Sequence, residues 1–172
     1  PLLYLSKDLF LFSYLGCGIN LIDIAYLRYE NIVENRLRFN RHKTGQPINF
    51  ALQGQLREII LKYAKEDCNP KDFIFPILDR KIHKTQQQQN DRIIKVTKGI
   101  NKNLKKIGQF LNLSIPITTY VARHSFATVL KRSGVNISII SEALGHTNLL
   151  TTQYYLDSFD NEQIDAAMKN LL

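Results

Sequence analysis

Apolar residues recur along this chain with two different periods, and they divide it into helices flanking one stretch of strands. Ser6 reads as the N-cap of a helix running to Tyr14, apolar on most sides and therefore central, and Gly16 and Gly18 end it. A second helix starts near Asn20, with Asp23 three residues on as in a capping box, and Ile24 and Leu27 facing inward. Over residues 36–52 the period falls to two. Leu37 and Phe39 oppose Arg36 and Arg38, and Ile48, Phe50 and Leu52 share one face. Between these runs Arg41-His42-Lys43-Thr44-Gly45 is a turn and Pro47 marks an edge strand, so the segment is a β-hairpin with a cationic tip.

The helical period then returns. Residues 53–65 form an amphipathic helix with Leu56, Ile59, Ile60 and Tyr63 inward. Cys68-Asn-Pro70 breaks the chain, and residues 73–76 are a short buried segment. The polar run 84–90 is a loop or a frayed helix start and is assigned no function. From Ile93 to Leu111 one stripe carries Ile93, Val96, Ile100, Leu104, Ile107 and Leu111, while Lys95, Lys98, Lys102, Lys105 and Lys106 occupy the other face. Those lysines are either a solvated face or a grip on backbone phosphates, Lys98 and Lys102 in particular.

Thr118 or Thr119 caps the next helix, which holds Arg123 in its first or second turn. Ala122, Phe126 and Val129 form its core stripe, and Ala127 leaves space beside the guanidinium. Gly134 ends it after Lys131-Arg132. Asn136 caps a helix with Ile140 and Leu144 inward, and Gly145 ends that one, so His146 stands just past a helix end. On a last short helix from Asn148, Tyr154 lies over Leu150 and has the core-facing position, whereas Tyr155 lies over Thr151 and Thr152 and has the polar one. Ser158 or Asp160 caps a terminal helix, Glu162 to Leu172, with Ile164, Ala167 or Met168, Leu171 and Leu172 apolar. The expected class is mainly α with a small antiparallel β-sheet (α+β), in a single domain spanning 1–172.

Composition narrows the partner. A length of 172 residues suits one domain that buries about two thirds of its unfolded surface. The net charge of +8 points to a polyanion, with nucleic acid first. A membrane is not expected, because the most apolar run, Leu9 to Leu15, is far too short to span one. That run follows Ser6-Lys7-Asp8 and has no basic leader or cleavage site, so it is not a secretion signal. Cys17 and Cys68 lie far apart and in no metal-binding spacing, which suits a reducing cytoplasm. Beginning at Pro1, the chain is expected to be a fragment of something longer.

The chemistry concentrates between Tyr120 and Tyr155. Arginine grips two phosphate oxygens at once, histidine donates to a third group, and tyrosine attacks phosphorus. Singly, Arg123, His146 and Tyr155 read as a surface ion-pair former, a loop residue and a core aromatic. In order, they read as a site for phosphoryl transfer to tyrosine. The run Arg123-His-Ser-Phe-Ala-Thr128, then Leu144-Gly-His146, then a tyrosine nine residues after that histidine, resembles the C-terminal signature of the tyrosine recombinases, or phage-type integrases. The segment from Leu15 to Ile32 is similar to that family's first conserved box. Lys43-Thr44 on the hairpin matches the position of its catalytic lysine. The Tyr-x-Ala-Arg-His variant and the Tyr-Leu-Asp-Ser-Phe ending look most like integrases of Bacteroides-type mobile elements.

The resemblance implies the catalytic domain of that family, without its N-terminal DNA-binding domain. It implies strand exchange on double-stranded DNA in a bacterial cytoplasm. Tyr155 would attack a phosphodiester to give a 3′-phosphotyrosyl bond, with no cofactor, metal or ATP. Arg123 and His146 would stabilise the non-bridging oxygens, Lys43 would protonate the leaving oxygen, and Arg41, His42 and Thr44 would hold DNA. The terminal helix, residues 160–172, would pack on a neighbouring subunit or on its own domain. Two positions depart from the family pattern. Counting back from Ile32, the first catalytic arginine falls on Asn20, and Tyr120 stands where the second box usually opens with histidine. These departures keep open an inactive DNA-binding module, and the shared nucleophile keeps open a type IB topoisomerase-like relaxing enzyme. Asn20 has an alternative duty as an N-cap, and Arg28, Arg41 and His42 are the candidates to supply the missing charge.

Overall fold

A computed structural model describes residues 2–64, 67 and 69–156, with Tyr155 described by its backbone. Among the described residues seven α-helices and three strands, besides a single 3-10 turn at Tyr29–Asn31, follow in the order α1 (Leu2–Leu15), α2 (Leu21–Tyr26), β1 (Ile32–Val33), β2 (Arg36–Asn40), β3 (Pro47–Ala51), α3 (Gln55–Tyr63), α4 (Gln86–Phe110), α5 (Thr119–Arg132), α6 (Ile137–Leu144) and α7 (Leu149–Tyr155). The described residues are thus mainly helical with one small antiparallel sheet, ordered β1-β2-β3, as the two periods predict.

The hairpin register sets which side chains face the core. Phe39 opposes Ile48 and Leu37 opposes Phe50, which puts all four on one face. Leu37 is fully buried there as part of the main core. Residues from α1, α2, α3, α4 and the segment from Phe73 to Leu78 complete the main core around Phe12, Ile24, Phe75 and Ile100. A smaller cluster of Ala127, Ile140, Leu144 and Leu156 ties α5, α6 and the end of α7 together. The chain segment after α1 and the hairpin tip lie against α5 and α6, and that seam holds the site.

Several local expectations change. Helix α1 begins at Leu2, and Ser6 is inside it, donating its hydroxyl to the carbonyl of Leu2 rather than capping. The polar run at 84–90 is the start of α4, closed by a full capping box between Thr85 and Gln88. At the other end α4 stops at Phe110, which leaves Leu111 outside the stripe and 56 % exposed. On α5 Ala122 is buried and Phe126 packs against the smaller cluster, as expected, but the third core position is Ala127, and Val129 is 46 % exposed. Asn136 and Asn148 cap α6 and α7 with their side-chain oxygens, as expected. The expected terminal helix, 160–172, lies outside the described residues.

Candidate active site

The C-terminus of α6 gathers the site. A helix ends with unsatisfied carbonyls that carry partial negative charge, and cations are stabilised there. Two arginines use the same one. Arg123 of α5 donates from Nη2 to the Leu144 carbonyl at 2.8 Å, and Arg41 donates to it from Nε at 3.1 Å and from Nη2. Both guanidinia are buried. Arg123 also donates from Nη1 to the carbonyl of Gly18 at 2.7 Å and from Nη2 to Nε2 of His146 at 3.1 Å.

Two glycines make this convergence possible. Gly145 ends α6 in the left-handed conformation at φ 65°, and a Cβ built on it would meet Arg41 Cγ and Nε at 2.9 Å. Gly18, at φ 63°, would place a Cβ 3.1 Å from Cγ of Arg123. At both positions the positive φ and the close contacts disfavour a side chain.

Arg41 is not at the hairpin tip. Its side chain is 4 % exposed and turns inward, where Nη1 meets Asp23 Oδ2 at 2.7 Å. The other carboxylate oxygen of Asp23 accepts the backbone N–H of His42 at 2.7 Å. The capping role expected for Asn20 and Asp23 is therefore corrected. Asn20 occupies the N-cap position without a side-chain bond, and Asp23 anchors the hairpin instead. A carboxylate with this little access to water needs a partner cation, and a guanidinium on the adjacent turn is a better one than a backbone N–H.

The other hairpin residues keep their expected surface positions. His42 is exposed and stacks on Tyr26, with ring centroids 4.9 Å apart. Lys43 is exposed at the cleft rim. Thr44 tethers the turn by donating its hydroxyl to the carbonyl of Gly145 at 3.2 Å. Lys98 and Lys102 lie on the exposed face of α4, outside the cleft lining. Asn101, beside them on α4, accepts the N–H of Thr119 at 2.9 Å and so joins α4 to the start of α5.

A cleft of about 400 Å³ brings together Asn20, Asp23, Arg41, Lys43, Tyr120, Arg123 and His146, together with Thr44, Leu144, Gly145, Thr147 and Thr151. Three cations against one carboxylate leave it positive, which suits a phosphate. Burial first, and then the charges of Arg41 and Lys43, hold His146 below the usual histidine range, so its ring is neutral at pH 7. Nδ1 of that ring lies 2.8 Å from the hydroxyl of Thr152, a fully buried residue of α7. Arg28, by contrast, is outside the cleft lining, paired with Glu30 and lying over the ring of Phe73.

The environment argument for the two tyrosines does not hold. Tyr154 is 86 % exposed and Leu150 beneath it is 53 % exposed. The face of α7 that turns inward carries Thr152, with Leu156 just beyond the helix, so a position over Leu150 faces solvent. Tyr155 follows Thr152 by three residues on α7. Its selection rests on the spacing from His146.

Sequence reasoning missed Asp23 as an anchor, Thr152 as the partner of His146, and the carbonyls of Gly18 and Leu144. Backbone acceptors carry no side-chain signal at all. Asp23 did carry one, a carboxylate on the helix that opens the site, but its spacing also fits a local cap.

Comparison with known proteins bears on the family and the fold. A family model described as the phage integrase family matches residues 3–162. A tyrosine recombinase of Thermosipho africanus (strain TCF52B) is 30 % identical over 154 residues, covering 88 % of this chain and 50 % of its own. The tyrosine recombinase XerA of Pyrococcus horikoshii is 29 % identical over 153 residues, with the same coverage of 88 % and 50 %. The chain thus spans about half the length of the curated relatives it matches. Among solved structures, XerA recombinase superposes with a TM-score of 0.62 at 16 % identity, over 96 % of this chain and 62 % of the other. The Tn1549 transposon integrase in complex with transposon right-end DNA does so with a TM-score of 0.62 at 16 % identity, over 95 % and 58 %. At that identity the superpositions speak for the fold.

Proposed function

The chain belongs to the phage integrase family, and from that premise we propose that residues 1–172 are the catalytic domain of an enzyme for site-specific DNA recombination or integration. Tyr155 attacks a phosphodiester of double-stranded DNA, forms a 3′-phosphotyrosyl bond and releases a 5′-hydroxyl. The 5′-hydroxyl of a second DNA end reverses the step. Bond energy is kept in the phosphotyrosyl ester throughout, so neither ATP nor a metal is required. The observation that carries this reading is the meeting of Arg41, Lys43, Arg123 and His146 around one positive cleft, beside the helix that holds Tyr155.

The roles follow from the donors. Arg123 has five N–H groups and uses three in the described bonds, so two are open to phosphate oxygens and the one now on His146 can pass to them as well. Arg41 likewise uses three of five, in its bonds to Leu144 and Asp23. Of the three candidates for the charge missing at Asn20, Arg41 is the one whose guanidinium lines the same cleft as Asn20. Two fixed guanidinia aimed where charge builds stabilise the transition state most in a site with little water. Lys43 protonates the leaving 5′-oxygen. Tyr120 lines the cleft, and its hydroxyl is suited to donate one hydrogen bond to phosphate. The lysine face of α4, with Lys98 and Lys102, together with His42 and Thr44, contacts the DNA backbone. Residues 160–172 join neighbouring subunits on DNA. The setting is the bacterial cytoplasm, and the source a mobile element; no described helix is long and apolar enough to cross a membrane.

The test is trapping of the full-length protein on a nicked duplex that loses its 5′-end after cleavage. A protein–DNA adduct stable to denaturation is expected, forming equally well with and without chelator at constant ionic strength. A chelator that stops it would sink the metal-free mechanism. Binding without any adduct would favour the inactive module that Asn20 suggests.

Lys43→Ala should slow adduct formation, and a substrate with sulfur in place of the leaving 5′-oxygen should restore it, since sulfur departs without a proton. Equal impairment on both substrates would leave Lys43 as a DNA-positioning residue only.

A further inference from the structure

The ring of His146 is held from both sides, and the two contacts together fix its proton. Guanidinium has donors and no acceptor, so the 3.1 Å contact from Arg123 Nη2 makes Nε2 of His146 the acceptor. In a neutral ring the proton then sits on Nδ1. That nitrogen faces Thr152 Oγ1 at 2.8 Å, and the hydroxyl accepts from it. Thr152 is 0 % exposed, so its oxygen depends on a protein partner.

We infer that Thr152 is a positioning residue for the proposed reaction: its buried hydroxyl holds the Nδ1–H of His146 and thereby turns Nε2 toward the phosphate site. This rests on the reading of the cleft given above. The bond is the same in the neutral and the protonated ring, because Nδ1 carries a proton in both. In the other neutral form, with its proton on Nε2, the hydroxyl would have to turn and donate to Nδ1, and the Arg123 N–H would face a proton instead of a lone pair. The ring therefore changes protonation at Nε2 alone, without reorienting. When a phosphate oxygen draws away the N–H of Arg123, Nε2 is left facing the anion. A proton taken up there from solvent makes it a donor to that oxygen. Thr152 and Tyr155 also share α7, three residues apart, so the same bond ties the helix of the nucleophile to the histidine.

The experiment uses full-length protein labelled with ¹⁵N-histidine, the His146 ring being assigned by difference against His146→Gln. In the native protein the ring signals should show a protonated Nδ1 and a bare Nε2. A native ring protonated on Nε2 overturns the inference, with no variant needed. In Thr152→Val the signals should move toward a mixture of the two forms, and adduct formation should slow by about 10–100-fold, as when a histidine loses its outer partner at other sites. Thr152→Ser, which restores the hydroxyl, should keep the native ring signals and most of the native rate. Slowing by Val and Ser alike, with native ring signals in both, would make Thr152 a packing residue and overturn the inference. Failure of the native protein to form an adduct would instead count against the proposed function, while the ring signals would still decide the role of Thr152.

Discussion

Tyr155→Phe is expected to form no covalent DNA adduct, while Tyr154→Phe forms it at the native rate. The first substitution removes one hydroxyl oxygen and leaves the ring, so it takes away the nucleophile and little else. DNA affinity should therefore stay close to native, since it comes from the cationic contacts. Stability of Tyr154→Phe should also be native, because that side chain is 86 % exposed. The pair of variants matters because Tyr154's surroundings do not distinguish it in the way its neighbour Leu150 suggested. An adduct that survives Tyr155→Phe and disappears with Tyr154→Phe would mean that spacing from His146 misidentifies the nucleophile.

Arg41→Ala should have two large effects at once. Asp23 is 4 % exposed and would lose its cation, which costs about 3–5 kcal/mol of stability for a buried pair broken on one side. Loss of a guanidinium from the cleft should also reduce adduct formation by about 10²–10³. The two effects separate in the double variant Arg41→Ala/Asp23→Asn. Neutralising both partners removes the stranded charge, so part of the stability should return while cleavage stays low. Arg41→Lys should fall between, because an ammonium keeps the charge but cannot span Asp23 and the Leu144 carbonyl with one planar fork. Cleavage by the double variant at the native rate would reduce Arg41 to a structural residue and return the question of the charge missing at Asn20 to other cations.

Much of the site was legible because its residues sit where local signals are strong. The change to a period of two marks the hairpin, and so the approximate place of Lys43. Gly145 announces the end of α6, and with it the terminal carbonyl of Leu144 and the position of His146. Asn148 announces α7. What was not legible depends on partners distant along the chain. A cation between two strands reads as solvated, yet Arg41 is buried because Asp23, on α2, supplies a carboxylate, and because Leu144, 103 residues away, supplies a carbonyl. Asp23 read locally is a cap, since nothing in its own helix signals a partner on the hairpin. The inward face of α7 could not be read from seven residues either. Leu150 is apolar and faces solvent, while Thr152 is polar and buried, because its hydroxyl has a partner in His146.

The most direct measurement is identification of the residue that carries DNA in the trapped adduct of the full-length protein. After digestion of protein and nucleic acid, mass spectrometry of the modified peptide reads the site. A nucleotide joined through its 3′-phosphate to Tyr155 is the expected result. Attachment at any other residue, or an unmodified Tyr155 peptide from protein bound to its DNA, would contradict the proposed chemistry.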